Sequence, residues 1–347
     1  MPPASPEVAV RWMWAGLGFG AALLSREVWR RSRQMELAGQ VVVITGSSRG
    51  LGLAIARELA RHQSRIVLCA RNTSELERAR ASVSRLGAET LAVPCDVTRR
   101  DDVERLIARA TEHFGRIDML INNAGIITVG PIEAQTLEDF ERAMAVMFWG
   151  TVYPTLGVLP QMRARRTGRI VNITSIGGKV SVPHLLPYGA AKFAAVGFSE
   201  GLRAELARDG ITVTTVVPGL MRSGSHVNAE FKGDAERESL LFSLAALLPF
   251  TSISADAAAR QIVAATRRGN AEVVLGWQAE LLLRAHGLLP GLTSDVLGLA
   301  NYFLPRGGGQ GLEPSPGRAT RTPRIDRLLE ALGESALVRE FNQTDAY

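Results

Sequence analysis

Residues 41–52, Val-Val-Val-Ile-Thr-Gly-Ser-Ser-Arg-Gly-Leu-Gly, leave the chain around them few choices. A β-branched run stops at Gly46, the chain passes Gly50 and Gly52, and a helical pattern continues from Leu53 to Ala60. The spacing predicts a strand, a tight glycine turn and a helix start. Residues without a Cβ let such a turn take positive φ, and the helix's first N–H groups are left free to meet an anion such as pyrophosphate. An ordinary loop would leave three glycines at this spacing unexplained.

From residue 41 onward the alternation repeats. Apolar runs near 41–45, 65–69, 89–93, 117–121, 169–174, 211–217 and 272–275 predict strands, with amphipathic helical stretches between them. Runs as continuous as Ile-Val-Leu and Val-Thr-Thr-Val-Val suit strands covered on both faces. Right-handed crossovers then give an α/β fold, a doubly wound, mostly parallel seven-stranded sheet flanked by helices. Ligands of such sheets sit at the strands' carboxyl ends, so the residues just after each strand are the informative ones.

Composition narrows the class. A hydrophobic content of 46% with 34 glycines suits a globular chain with a large core, and 347 residues fit one core with two tails. Cys69 and Cys95 each close a predicted strand; two thiols in so long a chain make no disulfide framework and are expected reduced and buried. The five histidines show no metal-ligand spacing. Half of the +6 net charge falls within residues 1–34, and no stripe of arginines and aromatics follows, so nucleic acid is not an expected partner. Only Lys179, Lys192 and Lys232 are lysines among 40 basic residues, which makes each worth a question.

After the second predicted strand comes Ala70-Arg71-Asn72, where an NAD site would place an acid for the ribose 2′-hydroxyl. The acid is missing there. Arg49 and Arg71 can instead clamp a 2′-phosphate, which favours NADP(H) over NAD(H); a pair of solvated arginines is the alternative. Asp96, with Val97, ends the third strand and can accept from an adenine amino group or cap the helix expected at 99–114. The small residues of Asn122-Asn123-Ala124-Gly125 let backbone approach a flat ring, while the amides fix the strand end. Thr174 and Ser175 follow the fifth strand, and Tyr188 and Lys192 stand four apart on one face of a helix predicted to run to about Ala207. A tyrosine used as a base near neutrality needs its phenolate stabilised by about three pKa units, roughly 4 kcal/mol, and a neighbouring ammonium acts in that direction.

Together these residues resemble the classical short-chain dehydrogenase/reductase family over residues 36–276. Thr45-Gly46-x3-Gly50-x-Gly52, Asp96-Val97, Asn122-Asn123-Ala124-Gly125, Ser175, Tyr188-x3-Lys192 and Pro218-Gly219 stand in the family's order. The resemblance implies a Rossmann-like fold and an oxidoreductase. It implies that Tyr188 is the general acid/base, that Ser175 orients the carbonyl or alcohol, and that Lys192 holds the nicotinamide ribose and lowers the tyrosine's pKa. Cofactor contacts are then expected from Gly46, Ser48, Arg49, Gly50, Leu51, Gly52, Arg71, Asp96, Val97, Asn123, Ala124, Gly125, Tyr188, Lys192, Pro218, Gly219 and Ser223. Two positions depart from the pattern. Met147 replaces the family's asparagine three residues before Gly150, which removes a link in a hydrogen-bonded water relay to the lysine. Ser223 stands where a threonine often follows Pro-Gly, and keeps the hydroxyl.

Residues 220–250 fall where the family carries a variable substrate lid and include the run Leu-Leu-Phe-Ser-Leu-Ala-Ala-Leu-Leu-Pro-Phe. Such a helix packs into the core or borders a hydrophobic substrate, and a lipophilic ketone or alcohol is the expected substrate. Residues 12–24 are an uncharged apolar run followed by arginines from Arg26 to Arg33. Arginines after the run disfavour a signal peptide. Membrane contact through residues 8–33, spanning or interfacial, is expected, with the catalytic domain in the cytoplasm. The chain thus divides into 1–35, a catalytic domain at 36–276, an apolar helical cap at 277–304, a linker at 305–323 rich in glycine and proline, and a tail at 324–347 with an amphipathic helix near 325–340. A homo-oligomer is expected from the resemblance. Two competing readings remain: a membrane-tethered NADP(H)-binding module degenerate at Met147, and an acyl-carrier-linked ketoacyl reductase, which would need a basic docking patch near the site mouth.

Overall fold

Seven apolar runs become the strands β1 (Val41–Thr45), β2 (Arg65–Ala70), β3 (Thr90–Pro94), β4 (Met119–Asn122), β5 (Gly168–Ile173), β6 (Ile211–Pro218) and β7 (Glu272–Leu275). The computed structural model describes residues 34–248, 250–306, 312–320, 323–333 and 341, so the apolar segment at 8–33 lies outside the described residues. The strands pair in the order β3-β2-β1-β4-β5-β6-β7, parallel throughout, with Ile44 opposite both Leu68 and Ile121. All five residues of β1 are buried, as a central strand covered on both faces requires. The order reverses between β1 and β4, which opens a crevice beyond their carboxyl ends.

Helices close both faces. On one, α1 (Gly50–Arg61) and α2 (Thr73–Ser84) bury Leu53, Ile55 and Leu76, together with Ile262 from the helix at residues 255–268. On the other, α3 (Arg100–Phe114) buries Val103 and Leu106 beside Val158 and Leu202. The connection from β4 to β5 contains α4 (Leu137–Ala143), a π-helical turn at Met144–Trp149, and α5 (Gly150–Arg165). Stretch 137–165 is the one described helical run long and apolar enough to cross a membrane, and more than half of its most apolar window is buried inside the fold, as in a core helix. Then come α6 (Leu186–Leu206), α7 (Ala235–Leu247) in the stretch expected to be the lid, and α8 (Ala255–Arg268).

Beyond β7 the expected cap is a hairpin of α9 (Trp277–Leu288) and α10 (Pro290–Asn301), broken at Pro290 because proline has no N–H to continue α9. Only Ala279 and Thr293 of the hairpin are buried, while Leu288 is 81% and nearby Phe303 82% exposed.

Part of the expected linker at 305–323 joins the fold. Ser315–Pro316 pair antiparallel with Glu230–Phe231, which in turn pair with Thr128–Val129, making a small second sheet under the lid. Gly317 is needed there, since a Cβ would lie 2.4 Å from the His226 carbonyl oxygen and 3.0 Å from the Phe231 ring. The terminal helix expected near 325–340 is α11 (Pro323–Ala331), and Phe341 is buried in the core beside α1 and α8.

Candidate active site

The glycine turn is held against the end of β4. Gly46 takes φ +63°, and a Cβ on it would lie 2.8 Å from the Ala124 Cα. Thr45 Oγ1 accepts from the Asn123 and Ala124 N–H groups at 3.0 and 3.1 Å, and the Asn123 side-chain amide donates back to the Thr45 and Gly46 carbonyls at 3.0 and 2.9 Å. Below the turn, Asn122 donates to Asn172 at 2.9 Å, Asn172 to Ser199 at 2.9 Å, and Ser199 meets Thr215 at 2.7 Å. This buried chain ties β4, β5 and β6 to α6. At Arg49, α1 begins without a side-chain cap, whereas Asn72 caps α2 and Ser254 caps α8. The first N–H groups of α1 are therefore available to an anion.

A cavity of about 870 Å³ runs from this turn along the strand ends to the lid. Of the sequence-predicted residues, all except Gly52 line it. Gly52 lies beneath the turn, where a Cβ would come within 2.4 Å of the Gly46 carbonyl oxygen. Cys69 and Cys95 are buried free thiols in the cavity floor; their mutual hydrogen bond, then burial, push the Cys69 thiol well up. Asp96 does not cap α3, whose N-cap is Arg99; its Oδ1 instead accepts from the Thr98 N–H at 2.9 Å and the Thr98 hydroxyl at 2.8 Å. Ser223 is buried at the cavity wall.

One acid was not legible at this end. Glu75, in the first turn of α2, places both carboxylate oxygens 3.4 Å from Arg49 Nη1, and the Ser48 hydroxyl donates to it at 3.3 Å. Arg49 is thus not an open clamp; Arg71 stands exposed on the cavity lining. An acid four residues after Arg71, just where the helix begins, was the available signal.

At the other end Ser175, Tyr188 and Lys192 converge. Ser175 Oγ accepts from the Gly177 N–H at 3.0 Å, which fixes the hydroxyl at the mouth of β5. Tyr188 stands in the first turn of α6 and Lys192 one turn later. The Lys192 ammonium donates to the Ile173 carbonyl at 2.9 Å. Lys179 bridges Glu200 and Glu272, and Lys232 pairs with Asp139, but among the described residues Lys192 pairs with no carboxylate. Burial pushes the Lys192 ammonium down to about 8. Burial likewise raises the Tyr188 phenol, against a hydrogen bond from Ser175 that lowers it. Met147, 1% exposed, lies in the π-helical turn. A Cβ placed on Gly125 would sit 3.9 Å from the Met147 Cγ and 3.8 Å from the Lys192 Nζ. Met147 and the Lys192 ammonium thus both border Gly125.

Between these ends and the lid, the wall is apolar, with Ile127, Leu185, Leu241, Phe242 and Leu282. His184 and Glu238 interrupt it as a buried pair, Nδ1 to Oε1 at 2.5 Å, joining the loop before Tyr188 to α7. His184 takes φ +63°, which its carbonyl uses to accept from the Gly130 N–H at 2.8 Å.

The short chain dehydrogenase family profile matches residues 40–233. The chain is 38% identical over 198 residues to the dehydrogenase/reductase SDR family protein 7-like of Anopheles gambiae, spanning 56% of this chain but only 62% of that relative. It is 34% identical over 244 residues to the putative oxidoreductase SadH of Mycobacterium tuberculosis, spanning 70% of this chain and 88% of the relative. A solved short-chain dehydrogenase from Streptomyces avermitilis superposes with a TM-score of 0.64 at 29% identity, covering 77% of this chain and 98% of that one.

Proposed function

The chain belongs to the short-chain dehydrogenase/reductase family and is an oxidoreductase, and from that premise we propose that it moves a hydride between NADP(H) and the carbonyl or alcohol carbon of a lipophilic small molecule. The observation that carries this reading is the convergence of Ser175, Tyr188 and Lys192 at one end of a cavity whose other end is the uncapped start of α1. The cavity's residues fit a dinucleotide: Gly50 leaves open space where another residue would carry a Cβ, with nothing nearer to it than 3.7 Å, and Arg49 and Arg71 suit a phosphate. Bound there, the dinucleotide supplies the hydride.

The protein's own part is proton transfer and positioning. Ser175 Oγ orients the carbonyl oxygen toward Tyr188. The Tyr188 phenol, raised further by burial, is protonated near neutrality and so stands ready as the acid of the reducing direction. Lys192, charged below about pH 8, offers its ammonium to hydroxyls of the dinucleotide. The missing acid after β2, with Arg49 and Arg71, supports NADP(H) over NAD(H). The apolar wall supports a hydrophobic ketone or aldehyde. Residues 8–33 serve as a membrane contact that keeps the catalytic domain on the cytoplasmic side, a reading supported by the exposed leucines of the α9–α10 hairpin, since Leu282 of that hairpin also lines the cavity. The family resemblance adds a homo-oligomer.

A second reading, an NADP(H)-binding module with weak turnover, draws on Met147 in place of the family's asparagine, bordering Gly125 as the Lys192 ammonium does. One experiment separates the two: NADPH and NADH oxidation by the full chain over a panel of hydrophobic ketones and aldehydes, with Tyr188→Phe as control. Turnover that favours NADPH and vanishes in the variant establishes the reductase. Tight NADPH binding without turnover leaves the module.

A further inference from the structure

We propose that Glu75 sets how strongly the site distinguishes a ribose 2′-phosphate from a 2′-hydroxyl, a role that rests on the dinucleotide reading of the cavity. The sequence offers Arg49 as a phosphate ligand, yet the folded chain gives that guanidinium a carboxylate already. Both Glu75 oxygens lie 3.4 Å from Arg49 Nη1, and Ser48, the next polar group of the glycine turn, donates to the same carboxylate at 3.3 Å. Glu75 is only 16% exposed, so solvent screens it less than Arg49 at 41%. It also lines the cavity between Asn72 and the turn.

A 2′-phosphate arriving at Arg49 must therefore displace one anion or share the cation with it. Either way it meets like-charge repulsion at contact distance. A 2′-hydroxyl carries no such cost and can donate to the Glu75 carboxylate as it stands. Glu75 thus holds down a preference that Arg49 and Arg71 would otherwise make large, and the wild-type chain takes both dinucleotides with a modest bias to the phosphorylated one. The residue is well placed for this without serving the fold: α2 is capped by Asn72, whose side chain accepts from the Glu75 backbone N–H, and that bond is unaffected by changing the side chain.

The test uses fragments that need no turnover: 2′,5′-ADP and 5′-ADP, titrated calorimetrically into the full chain and into Glu75→Gln. Glu77→Gln serves as a control on the same helix, since Glu77 pairs with exposed Arg80 away from the cavity. Glu75→Gln is expected to tighten 2′,5′-ADP about tenfold at low salt, to change 5′-ADP by less than about twofold, and to lose much of the gain at high salt. Equal effects on the two fragments, or none, would overturn the role while leaving the dinucleotide site intact. Failure of both fragments to bind wild type and variant alike would remove the dinucleotide reading and this role with it. Thermal melts establish that Glu75→Gln folds, and Glu75→Ala repeats the comparison should it not.

Discussion

The Lys192 ammonium lies 5.8 Å from the centre of the Tyr188 ring, one turn further along α6, and its own hydrogen bond goes to the Ile173 carbonyl at the end of β5. A carbonyl neutralises no charge. The ammonium is thus held in place by the sheet with its electrostatic influence left for the phenol and for whatever hydroxyls enter the cavity. That arrangement explains why burial alone moves Lys192 so far and why the residue reports on the site's chemistry.

Stability should rise with pH across the window that this shift defines. Lys192 titrates at about 8 folded, against 10.5 for an ordinary lysine. Between those values the unfolded chain keeps a proton that the folded chain has released, so this residue's slope is positive. The shift corresponds to roughly 3 kcal/mol at most across the window. Thermal melts should show the midpoint climbing above about pH 8, and Lys192→Met should flatten the climb. NADPH affinity should run the other way, weakening as the ammonium is lost. Parallel pH profiles for wild type and Lys192→Met would contradict the assignment.

Met147→Asn tests the proton relay. Restoring the family's amide at position 147 should speed proton delivery and shrink the solvent deuterium isotope effect on turnover. It should also cost stability, about 1–3 kcal/mol, because the side chain is buried and the new amide must find partners. Unchanged turnover and an unchanged isotope effect would mean that proton delivery already runs by another route.

Much of this site could be read in the chain because its residues follow strands whose apolar runs are unmistakable. Gly46, Asn123 and Ser175 were legible for that reason, and Tyr188 with Lys192 because helical spacing puts them on one face. Contacts set only by the fold were not. Glu75 meets Arg49 across 26 residues, and His184 meets Glu238 across 54, with no periodicity linking either pair. The two-residue strand Ser315–Pro316 lies in a stretch whose glycines and prolines signal a linker; only pairing with Glu230–Phe231 makes it a strand.

Two glycines should respond oppositely to alanine. At Gly52 a Cβ would meet the Gly46 carbonyl oxygen at 2.4 Å and the Asn123 side-chain nitrogen at 2.5 Å. Gly52→Ala should therefore destabilise by about 1–3 kcal/mol and weaken dinucleotide binding, since the turn itself must shift. At Gly197, inside α6, nothing lies within 4 Å of the same position. Gly197→Ala should be neutral or stabilise by about 0.5–1 kcal/mol, because alanine gives up less backbone freedom on entering a helix. Denaturant titration of both variants checks the pair, and a similar loss in each would discredit the packing account of the turn.

Phe231→Ala should separate the lid from the dinucleotide end. Phe231 is fully buried, meets Phe242 of α7 edge-on at 5.9 Å, and lies on the short strand that carries both Thr128–Val129 and Ser315–Pro316. Its removal should cost about 3–5 kcal/mol of local packing. The loss falls on α7 and on the 312–320 stretch, because the main cores on the two faces of the sheet do not include Phe231. Limited proteolysis should therefore cut the variant first within 312–320, while NADPH affinity stays within about threefold of wild type because the variant opens locally before it unfolds globally. Turnover of any ketone the protein reduces should fall much further than that, since Leu241 and Phe242 of α7 wall the apolar half of the cavity, the proposed substrate side. Equal losses of dinucleotide affinity and turnover would show instead that the small sheet supports the whole site and that the lid is not an independent unit.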